Sequence, residues 1–177
     1  MNQTRDPTGT ALNFRPQQAW GELLQRWWQE LAEDTGGRAA LRRAPDITAV
    51  VMLPAFQRLQ RRLLAAGWPD RPRQDGLNDR LAAAAGLLAH VREASEMSLP
   101  AAMSQSDNDK PRVSEMRFKR LLEAPDVDTL FVGLRRALPL LQHRCDPLAL
   151  ATDVVNWGDG VRKRWAYAYD WPNKPGK

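Results

Sequence analysis

The chain is poor in the residues from which most reactive sites are built. Its 177 residues include one cysteine, Cys145, and two histidines, His90 and His143. A lone cysteine excludes an intramolecular disulfide, and with it a disulfide-framed secreted scaffold. Two histidines with no His-x-x-x-His spacing leave no zinc motif. Glycines are isolated or close helical patterns, so no glycine-rich loop is available to cradle phosphates. No stretch approaches the ~20 apolar residues that cross a bilayer. The N-terminal MNQTRDPTGT lacks the apolar centre of a signal peptide. The expectation is a soluble cytoplasmic protein with no membrane partner.

The acidic residues supply no reaction centre either. Asp107 and Asp109 begin like a calcium loop, but Pro111 and Val113 follow where glycine and further ligands belong. Asp153 and Asp159 are six apart and do not share a helix face, and Asp126 and Asp128 suit the first turn of a helix. His143 and Cys145 have no orienting third group and no oxyanion site. These absences predict no catalytic residues, no metal, no cofactor and no small-molecule substrate.

What the chain does have is arginine and helical periodicity. The net charge is +5 with a pI of about 9.9, and the cations are 21 Arg and 5 Lys. Such a balance suits a polyanionic partner. The excess is spread, at +2 over residues 1–100 and +3 over 101–177, so a nucleic-acid surface must be assembled from several helices.

The organising stretch is Val113–Leu141. Ser114 is a helix N-cap with Glu115 in the first turn, and Phe118, Leu121 and Leu122 fall on one face. Pro125 ends that helix and Asp126 caps the next. That second helix carries the stripe Val127, Leu130, Phe131, Leu134, Leu138 and Leu141. Arg117, Lys119, Arg120, Arg135 and Arg136 lie on or beside the polar faces.

Elsewhere, residues 1–16 read as a loose arm. Residues 17–34 form an amphipathic helix through Trp20, Leu24, Trp27 and Leu31, closed by Thr35-Gly36-Gly37. A short helix follows with Arg38, Arg42 and Arg43 close together. After Pro54, Phe56, Leu59 and Leu63 point inward. Residues 67–76 are turn-rich and hold Arg71 and Arg73. An alanine-rich helix runs over 77–97, and 98–112 is polar with two prolines. Asp146-Pro147 opens a final helix to about Tyr169, with Arg162, Lys163 and Arg164 in its middle. No strand alternation and no repeat is visible. The expected fold is all-α, two small bundle-like helical lobes (17–97 and 113–171) joined by a polar linker (98–112), with a tail at 172–177.

Guanidinium forks match phosphate oxygens in pairs and give register without reading bases. The candidate nucleic-acid contacts are therefore the clusters Arg42 and Arg43, Arg73 with Arg71, Arg117 and Arg120, Arg135 and Arg136, and Arg162, Lys163 and Arg164. If they converge they make a groove that tracks a nucleic-acid backbone. Trp20, Trp27, Trp28 and Trp165 sit in stripe positions and are expected in the core rather than on bases.

A set of segments in fixed order carries a resemblance. These are ALRRAPD at 40–46, LPAFQRL at 53–59, Gly67-Trp68, VSEMRFKRLL at 113–122, DTLFVGLRRAL at 128–138 and NWGDGVRKRWAYAYDW at 156–171. Together they resemble the small subunit of the type I-E CRISPR Cascade complex, the CasB family, over about residues 19–171. The resemblance implies an all-helical, non-catalytic, two-lobed protein. It also implies partners: other Cascade subunits, a second copy arranged head to tail, guide RNA and target DNA. By position, Arg42, Arg43, Arg73, Arg117, Arg135, Arg136, Arg162 and Lys163 would line the nucleic-acid path. The chain departs from some relatives in carrying Asp159-Gly160 where basic side chains occur. Two other readings of the same basic surface are a structural adaptor that docks acidic protein faces and a helix-turn-helix regulator that would prefer one duplex sequence.

Overall fold

A computed structural model describes residues 12–70 and 76–173, and among these the fold is all-α. Ten α-helices follow in order: α1 (Ala19–Glu30), α2 (Thr35–Arg43), α3 (Ile47–Val51), α4 (Pro54–Ala65), α5 (Leu77–Leu88), α6 (Leu99–Ser104), α7 (Glu115–Leu122), α8 (Val127–Ala137), α9 (Pro147–Val155) and α10 (Asp159–Ala168). A 3-10 turn, Leu138–Leu141, extends α8. Four two-residue strands, β1 (Glu93–Ala94), β2 (Ser106–Asp107), β3 (Lys110–Pro111) and β4 (Arg144–Cys145), form a parallel β1–β4 pair and an antiparallel β2–β3 pair.

The axis of the molecule is α5. Leu77, Leu81 and every residue from Ala82 to Leu88 are buried, and a helix that is apolar all round must be enclosed by others. It packs against α9, α3 and α8. Small side chains allow the approach: a Cβ on Gly86 would lie 2.9 Å from the Phe131 ring of α8 and 3.0 Å from Val50 of α3. One continuous hydrophobic cluster runs from Leu12 to Tyr169, so residues on either side of 98–112 share it.

The structure differs from the sequence reading at five places: the helix expected over 77–97 ends at Leu88, and the other four have local reasons. Leu12 and Phe14, assigned to a loose arm, are buried. Phe14 stacks on Trp68 at 5.0 Å, its N–H donates to Thr152 Oγ1 at 3.0 Å, and Asn156 Nδ2 donates to Leu12 O at 2.6 Å. Thr35-Gly36-Gly37 opens α2 instead of closing α1, because Asp34 accepts from Gly37 N at 2.9 Å and caps the new helix. Its carboxylate lies 2.3 Å from where a Cβ on residue 37 would stand. Within 98–112, α6 buries Leu99 and Met103 and Val113 N donates to Met103 O at 2.9 Å. The final helix is two helices, broken where Trp157 turns inward to meet Trp165 at 5.1 Å and donates to Ala124 O at 3.1 Å.

The caps at Ser114, Asp126 and Asp146 form as their residue types require. Their side chains accept from Arg117 N, from Thr129 N, and from Leu148 N and Ala149 N. Trp27 and Trp165 are buried, while Trp20 and Trp28 are partly buried against the core.

Candidate nucleic-acid interface

Helices α7 and α8 are joined by a short turn at Ala124-Pro125 and pack against each other. Gly133 permits their approach, since a Cβ there would lie 2.6 Å from Leu121 Cδ2. Their outer sides leave an open groove of about 770 Å³. Its floor is apolar, with Val113, Leu121, Val132 and Leu140, and its cationic lining is Arg117, Arg120 and Arg136. All three arginines are exposed, and none of them has an acidic partner among the described residues. Asp128 also lines the groove without pairing to them. Van der Waals surface and unneutralised guanidinium thus stand side by side. An anion with an apolar body suits that combination.

The other side of α8 carries a second basic cluster. Arg135 reaches back to the C-terminal end of α2, donating through Nη1 to Ala44 O at 2.8 Å and through Nη2 to Arg42 O at 3.0 Å. These carbonyls are the unpaired acceptors that every helix end leaves. Arg38 donates through Nε to Ala89 O at 3.1 Å and through Nη2 to Val91 O at 3.3 Å. Arg42 and Arg92 complete the group, and His90 sits among them. Burial, and then the charges of Arg135, Arg42, His143 and Arg38, push its imidazole down to about 4. Arg38 is lowered as well, first by burial and then by Arg42 and Arg92. No carboxylate offsets either shift, so the local potential is positive. Arg135 and Arg136, neighbours in sequence, project about 100° apart on α8, one toward α2 and the other into the α7–α8 groove, so the two basic clusters adjoin different sides of one helix.

The remaining candidates are employed differently. Arg162 donates to Ala124 O, lies 3.6 Å from Asp159 and sits 5.5 Å from the centre of the Trp157 ring. It ties α10 to the end of α7. Arg164 donates at 2.6 Å to Asp153, a carboxylate only 5% exposed that also accepts from Trp165 Nε1 at 2.8 Å. Arg43 and Lys163 are exposed and without an ion pair among the described residues. Arg73 lies outside the described residues.

Arg92 was invisible to sequence reasoning. Periodicity carried the α5 helix through it, whereas the helix ends at Leu88 and Arg92 N donates to His143 O at 2.8 Å. Arg38 had one signal, its position four residues before Arg42 on the same helix face.

The thiol of Cys145 is buried and pushed up to about 12, chiefly by burial. His143 Nδ1 lies 2.8 Å from His90 O, turned to a carbonyl. The pair is not a thiolate and its base. Among the described residues no group of His, Cys, Asp and Glu is placed to hold a metal ion, and no helix is long and apolar enough to cross a membrane.

Likeness to known proteins points to one family. A family profile described as CRISPR-associated protein Cse2 matches residues 37–169, well over half of the chain. No curated protein matches. Among solved structures, the chain is similar to one in the crystal structure of E. coli Cascade bound to a PAM-containing dsDNA target with a 32-nt spacer. The two are 27% identical with a TM-score of 0.63, over 84% of this chain and 92% of that one. The family match over three quarters of the chain and the shared fold settle the kinship: the chain belongs to the Cse2 family, which is the CasB family, the small subunit of the type I-E CRISPR Cascade complex.

Proposed function

We propose that this subunit acts without catalysis, as a clamp that holds guide RNA, target DNA or the displaced strand by their backbones, with no sequence preference. It works beside other Cascade subunits and a second copy of itself. One observation carries the reading: Arg117, Arg120 and Arg136, from two helices, meet on one groove, and none of them is ion-paired among the described residues although Asp128 lines it too. The cluster at Arg38, Arg42 and Arg92 across α8 supports it, since its positive potential is also uncompensated. The similar E. coli structure was captured on a dsDNA target, which favours a nucleic-acid partner over an acidic protein face.

Within this reading the nine sequence candidates among the described residues divide by employment. Arg42, Arg43, Arg117, Arg120, Arg136 and Lys163 contact phosphates. Arg135, Arg162 and Arg164 are positioning residues, because Arg135 donates to three carbonyls at the end of α2 and acids pair with Arg162 and Arg164. Pairing a guide with one strand of a duplex is a near-balanced exchange, so modest backbone contacts decide whether it proceeds.

The test is ionic strength. Binding of the full chain to random-sequence DNA, followed by fluorescence anisotropy, should give a linear fall of log affinity with log salt. The triple variant R117A/R120A/R136A should lower that slope by about 2–3, because each neutralised phosphate accounts for ~0.7–0.9 of it. Affinity that does not change with salt overturns the clamp.

A further inference from the structure

Beside the basic cluster on the α2 side of α8 lies a small pocket of about 270 Å³, walled by Trp28, Ala32, Leu88 and Val91 and edged by Arg38 and Arg92. Resting on the clamp reading above, we propose that this pocket captures one unpaired base from a single strand, with the flanking phosphates on Arg38 and Arg92.

Its size comes first. The volume falls just below the ~300 Å³ at which small-molecule pockets begin. That is room for one planar ring and not for a stretch of chain. The lining supplies the matching surfaces. Trp28 Nε1 already donates to Val91 O at 3.1 Å, so the indole presents ring carbons to the pocket. Leu88 and Val91, almost wholly buried, close the inner end of the pocket and leave Trp28 and Ala32 as its reachable apolar walls. A base is a ring with apolar faces, and a base on an aromatic wall is the contact that single-strand binders use whatever the sequence.

The rim selects the charge of the guest. Arg38 is held in place by Ala89 O and Val91 O, so its guanidinium is preorganised. Arg92 is exposed, its side chain has no acidic partner among the described residues, and only its backbone N–H is engaged, on His143 O. An apolar slot between two uncompensated guanidiniums suits a ring carried between two anions, and a nucleotide within a strand has that form. A duplex lacks it, because its bases are stacked and paired and only phosphates and sugars face outward.

The experiment compares full-chain protein with an Ala32→Phe variant, which fills the pocket from an exposed position at the end of α1 without removing any buried side chain. The probes are a 20-mer of oligothymidine, the same strand with abasic residues, and a 20-bp duplex, each followed by anisotropy at one low salt concentration. The expected result is roughly a 10-fold loss on oligothymidine and no change on the abasic strand or the duplex. Arg92→Ala should weaken oligothymidine binding and lower its salt slope by about 0.7. Equal losses on the normal and abasic strands overturn the proposal, as does unchanged oligothymidine binding by Ala32→Phe. An acidic peptide that displaces the strand from the wild type but not from the variant also overturns it. Wild-type protein that binds none of the three probes sinks the clamp and the pocket together. Wild-type binding that the variant leaves intact sinks the pocket alone.

Discussion

The α7–α8 groove and the α9–α10 corner hold the same kind of residue in opposite employment. Around the groove, Arg117, Arg120 and Arg136 are exposed and unpaired. At the corner, Arg162 and Arg164 belong to a local run that looks more basic in sequence, yet one closes the end of α7 and the other neutralises a buried carboxylate. The difference teaches that positive charge in a sequence is not positive surface in a fold. A guanidinium whose charge a carboxylate neutralises is part of the frame. One that meets no carboxylate, even where like Arg38 it donates to carbonyls, keeps its charge for a ligand.

The largest break in this comparison should come from the corner. Asp153→Ala removes the acceptor of both Arg164 and the buried Trp165 indole N–H. It should cost about 2–3 kcal/mol in urea unfolding, because a buried donor left without a partner is penalised in full. Nucleic-acid affinity of the folded fraction should be unchanged.

A smaller contrast sharpens the division of roles. Arg162→Ala should lose about 1–2 kcal/mol of stability, the worth of a hydrogen bond from a charged donor. It should leave the salt slope of binding within error of wild type. The groove triple variant should do the reverse, with a stability change of roughly 0.5 kcal/mol or less and a clear drop in slope. Equal effects from both would erase the distinction between frame and surface.

The smallest effect lies outside both regions, at His90 beside Arg135, Arg42 and Arg38. Its folded value of about 4 is below the ordinary 6.5, so between those limits the unfolded chain binds the extra proton. The stability that follows is fully present above pH 6.5 and is lost as pH falls toward 4. After allowance for solvent screening the loss is about 1 kcal/mol. His90→Gln should flatten that part of a stability-against-pH curve, and a variant curve with the wild-type slope would show that other groups govern it.

Much of the fold was legible because its signals are local. The stripe through Leu130, Phe131 and Leu134 lies on one face at three- and four-residue spacing and is buried. Ser114, Asp126 and Asp146 cap helices through N–H groups two or three residues on. Where a local signal had two meanings, the reading failed. Thr35-Gly36-Gly37 follows one helix and precedes another, and only the Asp34 carboxylate on Gly37 N decides between them. Polarity hid Leu99 and Met103 of α6 within a stretch whose average composition is that of a linker.

The candidate site was legible in composition and not in arrangement. The arginine clusters, the lack of a metal or nucleophile motif and the kinship of the motifs are properties of neighbouring residues, so the chain alone determined an all-helical, basic protein of a recognisable family. Which arginines face a ligand was decided only by folding. Arg135 meets Ala44, Arg162 meets Ala124 and Arg92 comes to Trp28 and Arg38 across long stretches of chain. A guanidinium's charge is set by its own chemistry, but its availability depends on which acceptors lie within hydrogen-bond reach, and those are brought there by packing around α5.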